Sequence, residues 1–165
     1  MDSFNWPPNL NMKKLRALLI NFEGVKDRKK SNYLRIHLDD KEKETIAFGN
    51  KFDEGYMKKI LDKHDIDIES VKSGEPIPKF VAFELMDEAL RGSVTDLRKR
   101  YINFDSFKPA YQETLTSVVY RLGMPKYLAQ FKKMNKAVAD GDFLRAAFEL
   151  EHFQRTQSRN SGIPI

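Results

Sequence analysis

The chain has 165 residues, 41% hydrophobic and 32% charged, which is ordinary for a globular domain and long enough to bury a real core. It has no cysteine and three histidines, so disulfide and thiolate chemistry are excluded and a zinc site is not expected. The net charge is +5, and the excess is uneven: residues 1–75 hold 15 Lys and Arg against 14 Asp and Glu, residues 76–165 hold 14 against 10. Such a basic surface suits an anionic polymer: nucleic acid, acidic lipid or bacterial cell wall.

No apolar run approaches a membrane span, and residues 1–10, with Asp2, Trp6 and a Pro7-Pro8 pair, lack the charged start and apolar core of a signal peptide. Asn11 is placed to cap a helix that runs to about Phe22. Leu15, Leu18, Leu19 and Phe22 recur there at helical spacing, and Gly24 supplies a stop. A basic run occupies 26–30. Residues 33–38 and 44–48 read as two strands of a hairpin, joined by a polar turn at 39–43. Residues 52–64 form a second predicted helix, with Asp53 as cap and Tyr56, Met57, Ile60 and Leu61 on one face. Residues 65–78 are polar, carry Gly74, Pro76 and Pro78, and read as a join between lobes.

From Pro78 onward the pattern is helical. Phe80, Phe83, Leu85, Met86, Leu90, Val94 and Leu97 are the expected buried side of a long helix, with Gly92 as a point of bending. Pro109 opens a helix stopped by Gly123, and Pro125 opens another that ends at Asp140-Gly141. Asp142 caps a last helix carrying Phe143, Ala146, Ala147, Leu150 and Phe153, and the tail from Gln154 is expected to be irregular. Phe80, Phe83, Phe131 and Phe143 are expected in the core. The predicted architecture is α+β in a single domain. A small lobe at about 11–75 holds the hairpin and a larger all-helical lobe spans about 76–160; a cleft between such lobes is a common site for a ligand.

The stretch 18–50 holds a candidate catalytic wall. Glycoside hydrolysis uses one carboxylic acid to protonate the leaving oxygen and a second carboxylate to manage water or the developing cation. The acid must stay protonated near neutrality, which apolar surroundings favour. Glu23 follows the apolar turn Leu18-Leu19-Ile20-Asn21-Phe22 and meets that condition. Asp39 and Asp40 sit in the polar hairpin turn, where a carboxylate stays ionised, and Thr45 lies on the returning strand. Each has a blander reading. A Glu at a helix end is usually solvated, Asp favours turns, and Thr favours strands.

Taken together, these residues resemble the phage T4 lysozyme family, glycoside hydrolase family 24. That family has a helix ending in Glu-Gly, then an aspartate, five residues, a threonine and a Thr-Ile-Gly-x-Gly-like strand. Here Glu23-Gly24 matches the first element. Asp39 stands six positions before Thr45, and Thr45-Ile46-Ala47-Phe48-Gly49 resembles the strand. Further along, Phe107-Lys108-Pro109-Ala110-Tyr111 and Tyr120-Arg121-Leu122-Gly123 follow the family's order. So do Phe131 with Met134, and Gly141-Asp142-Phe143 with Ala146-Ala147-Phe148-Glu149-Leu150. The likeness covers about residues 15–159. The chain departs from the pattern at residues 26–32, which read as an insertion. Asn50 takes the place of a histidine, Arg121 that of an amide residue, and the late tryptophan is missing near Phe153 and Arg155.

The resemblance implies a lysozyme-like fold and a peptidoglycan hydrolase, a muramidase that cuts between N-acetylmuramic acid and N-acetylglucosamine with inversion. Glu23 is then the general acid, Asp39 the water-positioning carboxylate, favoured over Asp40 by the spacing to Thr45, and Thr45 helps hold the water. Arg121 and Arg155 are candidates for contacting acidic peptide stems of the wall, with solvated helix faces as the plainer account. No cofactor or metal is expected. The alternative is a lysozyme-like module without activity that binds wall or serves in a virion. A nucleic-acid binder rests on charge alone and lacks a recognition motif. The implied setting is synthesis in a host cytoplasm without a signal peptide. The protein would act on the wall through another phage protein's pore or as a virion component.

Overall fold

A computed structural model describes residues 3–22, 32–38 and 42–161. Gly24, the basic run at 26–30, Asp39, Asp40 and the last residues from Gly162 lie outside them. The described chain is mostly helical with one small antiparallel sheet of three strands, an α+β composition, and the sheet is confined to residues 37–51. No strand occurs within 110–150. Among the described residues no helix is long and apolar enough to cross a membrane. The chain forms two compact units, Met1–Val94 and Thr95–Ile165. The division falls inside a helix, not at the polar stretch 65–78 where the sequence places the join.

In the first unit, α1 (Met12–Phe22) begins as expected, with the Asn11 side chain accepting from the Lys14 amide at 3.0 Å. Leu15, Leu19 and Ile20 are buried. Arg16 makes a two-pronged bond to Asp87, Nε to Oδ1 at 2.9 Å and Nη2 to Oδ2 at 2.7 Å. This planar pairing is the strong form of an ion pair. The Asp87 bond raises the Arg16 pKa further, against the opposing effect of partial burial.

β1 (His37–Leu38) pairs with β2 (Glu44–Ile46), which pairs with β3 (Asn50–Lys51). The first strand is shorter than the predicted 33–38, because Asn32–Leu34 is a 3₁₀ turn. Its carbonyls find partners elsewhere: Tyr33 O accepts from the Ala47 amide at 2.6 Å and Leu34 O from the Ile77 amide at 2.8 Å. The second strand stops at Ile46 because Ala47 turns left-handed, with φ 58°.

α2 (Glu54–Lys63) is capped by Asp53, which accepts from the Gly55 amide at 2.7 Å, and buries Met57, Ile60 and Leu61. The expected join contains a further helix, α3 (Ile68–Lys72), capped by Asp67 and burying Ile68 and Val71. Five residues are too few to show a helical period. α4 (Lys79–Arg100) runs uninterrupted through Gly92. Its buried side is Val81, Ala82, Leu85, Met86, Leu90, Val94 and Leu97. Phe80 and Phe83, expected in the core, are instead 59% and 39% exposed. At 100° per residue they flank the stripe that the aliphatic residues define.

In the second unit, α5 (Pro109–Leu122) ends at Gly123, whose φ of 82° suits glycine. The single helix expected from Pro125 to Asp140-Gly141 is two, α6 (Met124–Gln130) and α7 (Lys132–Ala139). The break is at Phe131, with φ −113° and ψ 44°, whose buried ring lies 5.9 Å from Tyr127 and 4.1 Å from Phe153. Phe143 is only half-buried, stacked on Tyr111 at 4.2 Å. α8 (Phe143–Ser161) is capped by Asp142, which accepts from the Arg145 amide at 3.0 Å. It continues through the stretch expected to be irregular, with a turn-spaced pair between Glu151 and Arg155 and a bond from Thr156 Oγ1 to His152 O.

A buried polar chain ties the second unit together. Tyr101 donates to Asn135 Oδ1 at 2.6 Å, and its oxygen lies 2.7 Å from the Tyr127 hydroxyl. A phenol has one proton, so Tyr127 donates to Tyr101. Arg100 Nε also reaches Asn135 Oδ1, at 2.9 Å. Tyr127 is fully buried, and burial followed by its bond to Tyr101 pushes its pKa far up. Gln112, also fully buried, donates to the carbonyls of Phe104 and Asp105 at 3.0 and 3.1 Å.

Two measurements test these links. Tyr127→Phe removes the donor that Tyr101 accepts and is expected to destabilise by about 1–2 kcal/mol in denaturant unfolding; no loss would remove the hydroxyl chain from the account. In the first unit, Glu84 accepts from Lys63 Nζ at 2.5 Å and pairs with His64 Nε2 at 2.6 Å. Desolvation opposes its ionisation, but the bonds from Lys63 and His64 prevail and its pKa is lowered from 4.5. A lowered carboxylate stabilises above its unfolded pKa and loses that contribution as pH falls through the folded one. Glu84→Gln is therefore expected to lose about 0.5–1 kcal/mol at pH 7, with the gap closing in acid below pH 4.5. A gap independent of pH would disprove the linkage.

Candidate active site

The two carboxylates on which the catalytic reading depends, Glu23 and Asp39, lie outside the described residues, as does Asp40. Glu23 directly follows α1 in the chain, and Asp39 directly follows β1. What the structure describes is the hairpin that carries Thr45. Thr45 sits on the central strand, opposite His37 on one side and Lys51 on the other. It is 4% exposed, and its hydroxyl donates to Lys43 O at 3.1 Å. With its proton engaged, that oxygen keeps lone pairs and can only accept. Thr45 is therefore suited to receive a hydrogen from a water molecule and unsuited to give one.

The turn after Thr45 is short and conformationally demanding. Ala47 and Gly49 both have positive φ, 58° and 76°. Glycine adopts that region freely, whereas an alanine in it is disfavoured by roughly 1–2 kcal/mol. The turn is locked by the bond from the Ala47 amide to Tyr33 O and by the Phe48 ring, which lies 5.3 Å from Tyr33 and 5.0 Å from Phe83.

Asn50 follows the turn and is 4% exposed. Its Nδ2 donates to Leu85 O in α4 at 3.1 Å and to the Tyr56 hydroxyl in α2 at 3.3 Å. Burial raises the Tyr56 pKa, with the Asn50 bond opposing. Among the described residues the amide oxygen of Asn50 has no hydrogen-bond partner. Sequence reasoning missed this role, although the place was marked: Asn50 stands where the resembled family has a histidine.

No family model, curated protein or solved structure matches this chain.

Arg121 and Arg155 belong to the second unit. Arg121 is exposed in the last turn of α5, where a cation complements the helix's negative end. Arg155 is exposed on α8 and pairs with Glu151 one turn earlier. An exposed pair of that kind contributes only a few tenths of a kcal/mol. Both settings fit the plainer account of solvated helix faces. Among the described residues, no group of three His, Asp or Glu is placed to hold a metal ion.

The left-handed alanine gives a direct test of the hairpin. Ala47→Val puts a β-branched residue at φ 58° in a buried turn and is expected to destabilise by about 2–3 kcal/mol. Ala47→Gly trades relief of strain against loss of a buried methyl of about 0.8 kcal/mol, so it is expected to be close to neutral. Urea unfolding of both variants measures this, and a valine tolerated as well as glycine would contradict the turn geometry.

Proposed function

We propose that this protein is a peptidoglycan hydrolase of lysozyme-like fold. It would cleave the β-1,4 bond between N-acetylmuramic acid and N-acetylglucosamine with inversion. The observation that carries the reading is the motif order Glu23-Gly24, Asp39 and Thr45–Gly49, together with the hairpin's backbone. The strand it resembles has glycine at two positions, and the corresponding residues here, Ala47 and Gly49, are both left-handed. A backbone that demands glycine-like φ at those two positions supports the match of this stretch beyond residue identity.

In this mechanism Glu23 protonates the glycosidic oxygen. Asp39 takes a proton from a water that attacks from the opposite face of the sugar, which requires carboxyl groups about 6.5–9.5 Å apart. The Thr45 oxygen accepts the water's other hydrogen and helps orient it. The basic excess of residues 76–165, Arg121 and Arg155 included, favours an acidic wall polymer. Access would come through a pore made by another phage protein or within a virion.

One observation favours the second reading, a wall-binding or virion module without activity. Thr45 is almost fully buried, with its hydroxyl bonded to the Lys43 carbonyl just before its strand.

Turbidity loss of exposed cell walls separates the two. Glu23→Gln keeps the size of the side chain and removes the transferable proton. It is expected to lower lysis by about 10²–10⁴-fold with stability held or raised. Asp39→Asn is expected to be similarly damaging, and Asp40→Asn to matter little. If Asp40→Asn is the damaging change, Asp40 is the functional carboxylate. A wild type without lysis, in which Glu23→Gln changes neither wall binding nor stability, would make the protein the inactive module.

A further inference from the structure

We propose that Asn50 is a positioning residue, whose carboxamide holds the β2–β3 hairpin in the conformation that carries Thr45. Its consequence for catalysis rests on the hydrolase reading; its consequence for the hairpin does not.

Three observations converge. First, one NH₂ group joins β3 to two helices, through Leu85 O and the Tyr56 hydroxyl. The Leu85 carbonyl is inside α4, so it takes the Asn50 bond on its second lone pair. Second, the other half of the same amide has no partner among the described residues, although the residue is 4% exposed. Natural cores rarely keep a desolvated carbonyl oxygen; an apolar side chain of similar volume would remove it, at the cost of the donor to the Tyr56 hydroxyl. Third, the turn that Asn50 closes contains the buried left-handed Ala47.

Two departures from the best-paired, least-strained choice thus fall within four residues of each other. Such departures cluster where placement matters more than stability. What is being placed follows from the register. Asn50 lies opposite Ile46, and its neighbour Lys51 lies opposite Thr45. Because β2 has only three residues, a shift of Asn50 against α4 carries Thr45 with it.

The test compares Asn50→Leu, which fills the space without a donor, with Asn50→His, which restores an N–H. Lysis kinetics are measured well below the unfolding midpoint of each variant. Amide exchange is followed at Phe52 and Ala47, whose N–H groups bond to Glu44 O and Tyr33 O and so report on the hairpin. The amides of α2 serve as reference. Asn50→Leu is expected to lower kcat by about tenfold or more with KM within about twofold, and to speed exchange at Phe52 and Ala47 by about tenfold while α2 is unchanged. Asn50→His is expected to recover most of both. A lowered midpoint with kcat unchanged, or exchange at Phe52 and Ala47 that merely follows α2, would reduce Asn50 to an ordinary core residue and overturn the proposal. If the wild type shows no lysis, the hydrolase reading fails, and the exchange comparison alone decides whether Asn50 holds the hairpin.

Discussion

Three nearly consecutive residues of α4 hold most of the first unit. Glu84 receives Lys63 and His64 from the end of α2, Leu85 offers its carbonyl to Asn50 of β3, and Asp87 takes the guanidinium of Arg16 in α1. The aliphatic stripe of α4 supplies burial, but burial has no direction. It is these polar contacts, with their demands on distance and angle, that select one position for each neighbour. The partners lie 71, 35, 21 and 20 residues away in sequence, so none is a local helix bond. The short sheet needs this. Strands of two and three residues have too little ladder to be stable alone, and the hairpin persists because a helix holds it from outside the sheet.

The second unit solves the same problem with aromatic rings. The helices α6, α7 and α8 meet at Phe131, whose ring breaks one helix and lies against Tyr127 and Phe153. The directional element here is the run of hydroxyls and amide from Tyr127 through Tyr101 to Asn135. A phenol brings a large apolar body and one well-aimed donor, so the same residue contributes burial and orientation.

Much of the fold was legible because its signals are local. Asn11, Asp53 and Asp142 act as the caps their positions imply, and Gly123 ends α5 with a positive φ. What was not legible depends on partners distant in sequence. The segment 33–38 has strand-like residues, yet the carbonyls of Tyr33 and Leu34 are claimed by Ala47 and Ile77. Phe131 has the periodicity of a helix interior, and its ring contacts decide otherwise. Phe80 and Phe83 look like core by type, while the angle of α4 is set by its aliphatic stripe. For the candidate site, the place of Thr45 on a strand was legible, but the bond of its hydroxyl to Lys43 O and the bonds from Asn50 to α2 and α4 were not. No sequence rule predicts that the oxygen of a buried amide will have no partner among the described residues.

The buried phenols have a consequence for how the molecule can be watched. The chain has one tryptophan and six tyrosines. Trp6, in the first unit, lies edge-on to Phe4 and beneath the Arg91 guanidinium, so its emission reports on that unit. Tyr101 and Tyr127, in the second, resist ionisation because burial raises their pKa. A raised phenol stabilises the native state below its ordinary pKa near 10 and ceases to do so as alkali rises toward the folded value. Phenolate absorbance from these two rings therefore waits on the opening of their surroundings. The pKa of Tyr56, in the first unit, is raised by burial in the same way, so Trp6 emission follows the first unit alone, while late phenolate absorbance follows the opening of buried phenols in both.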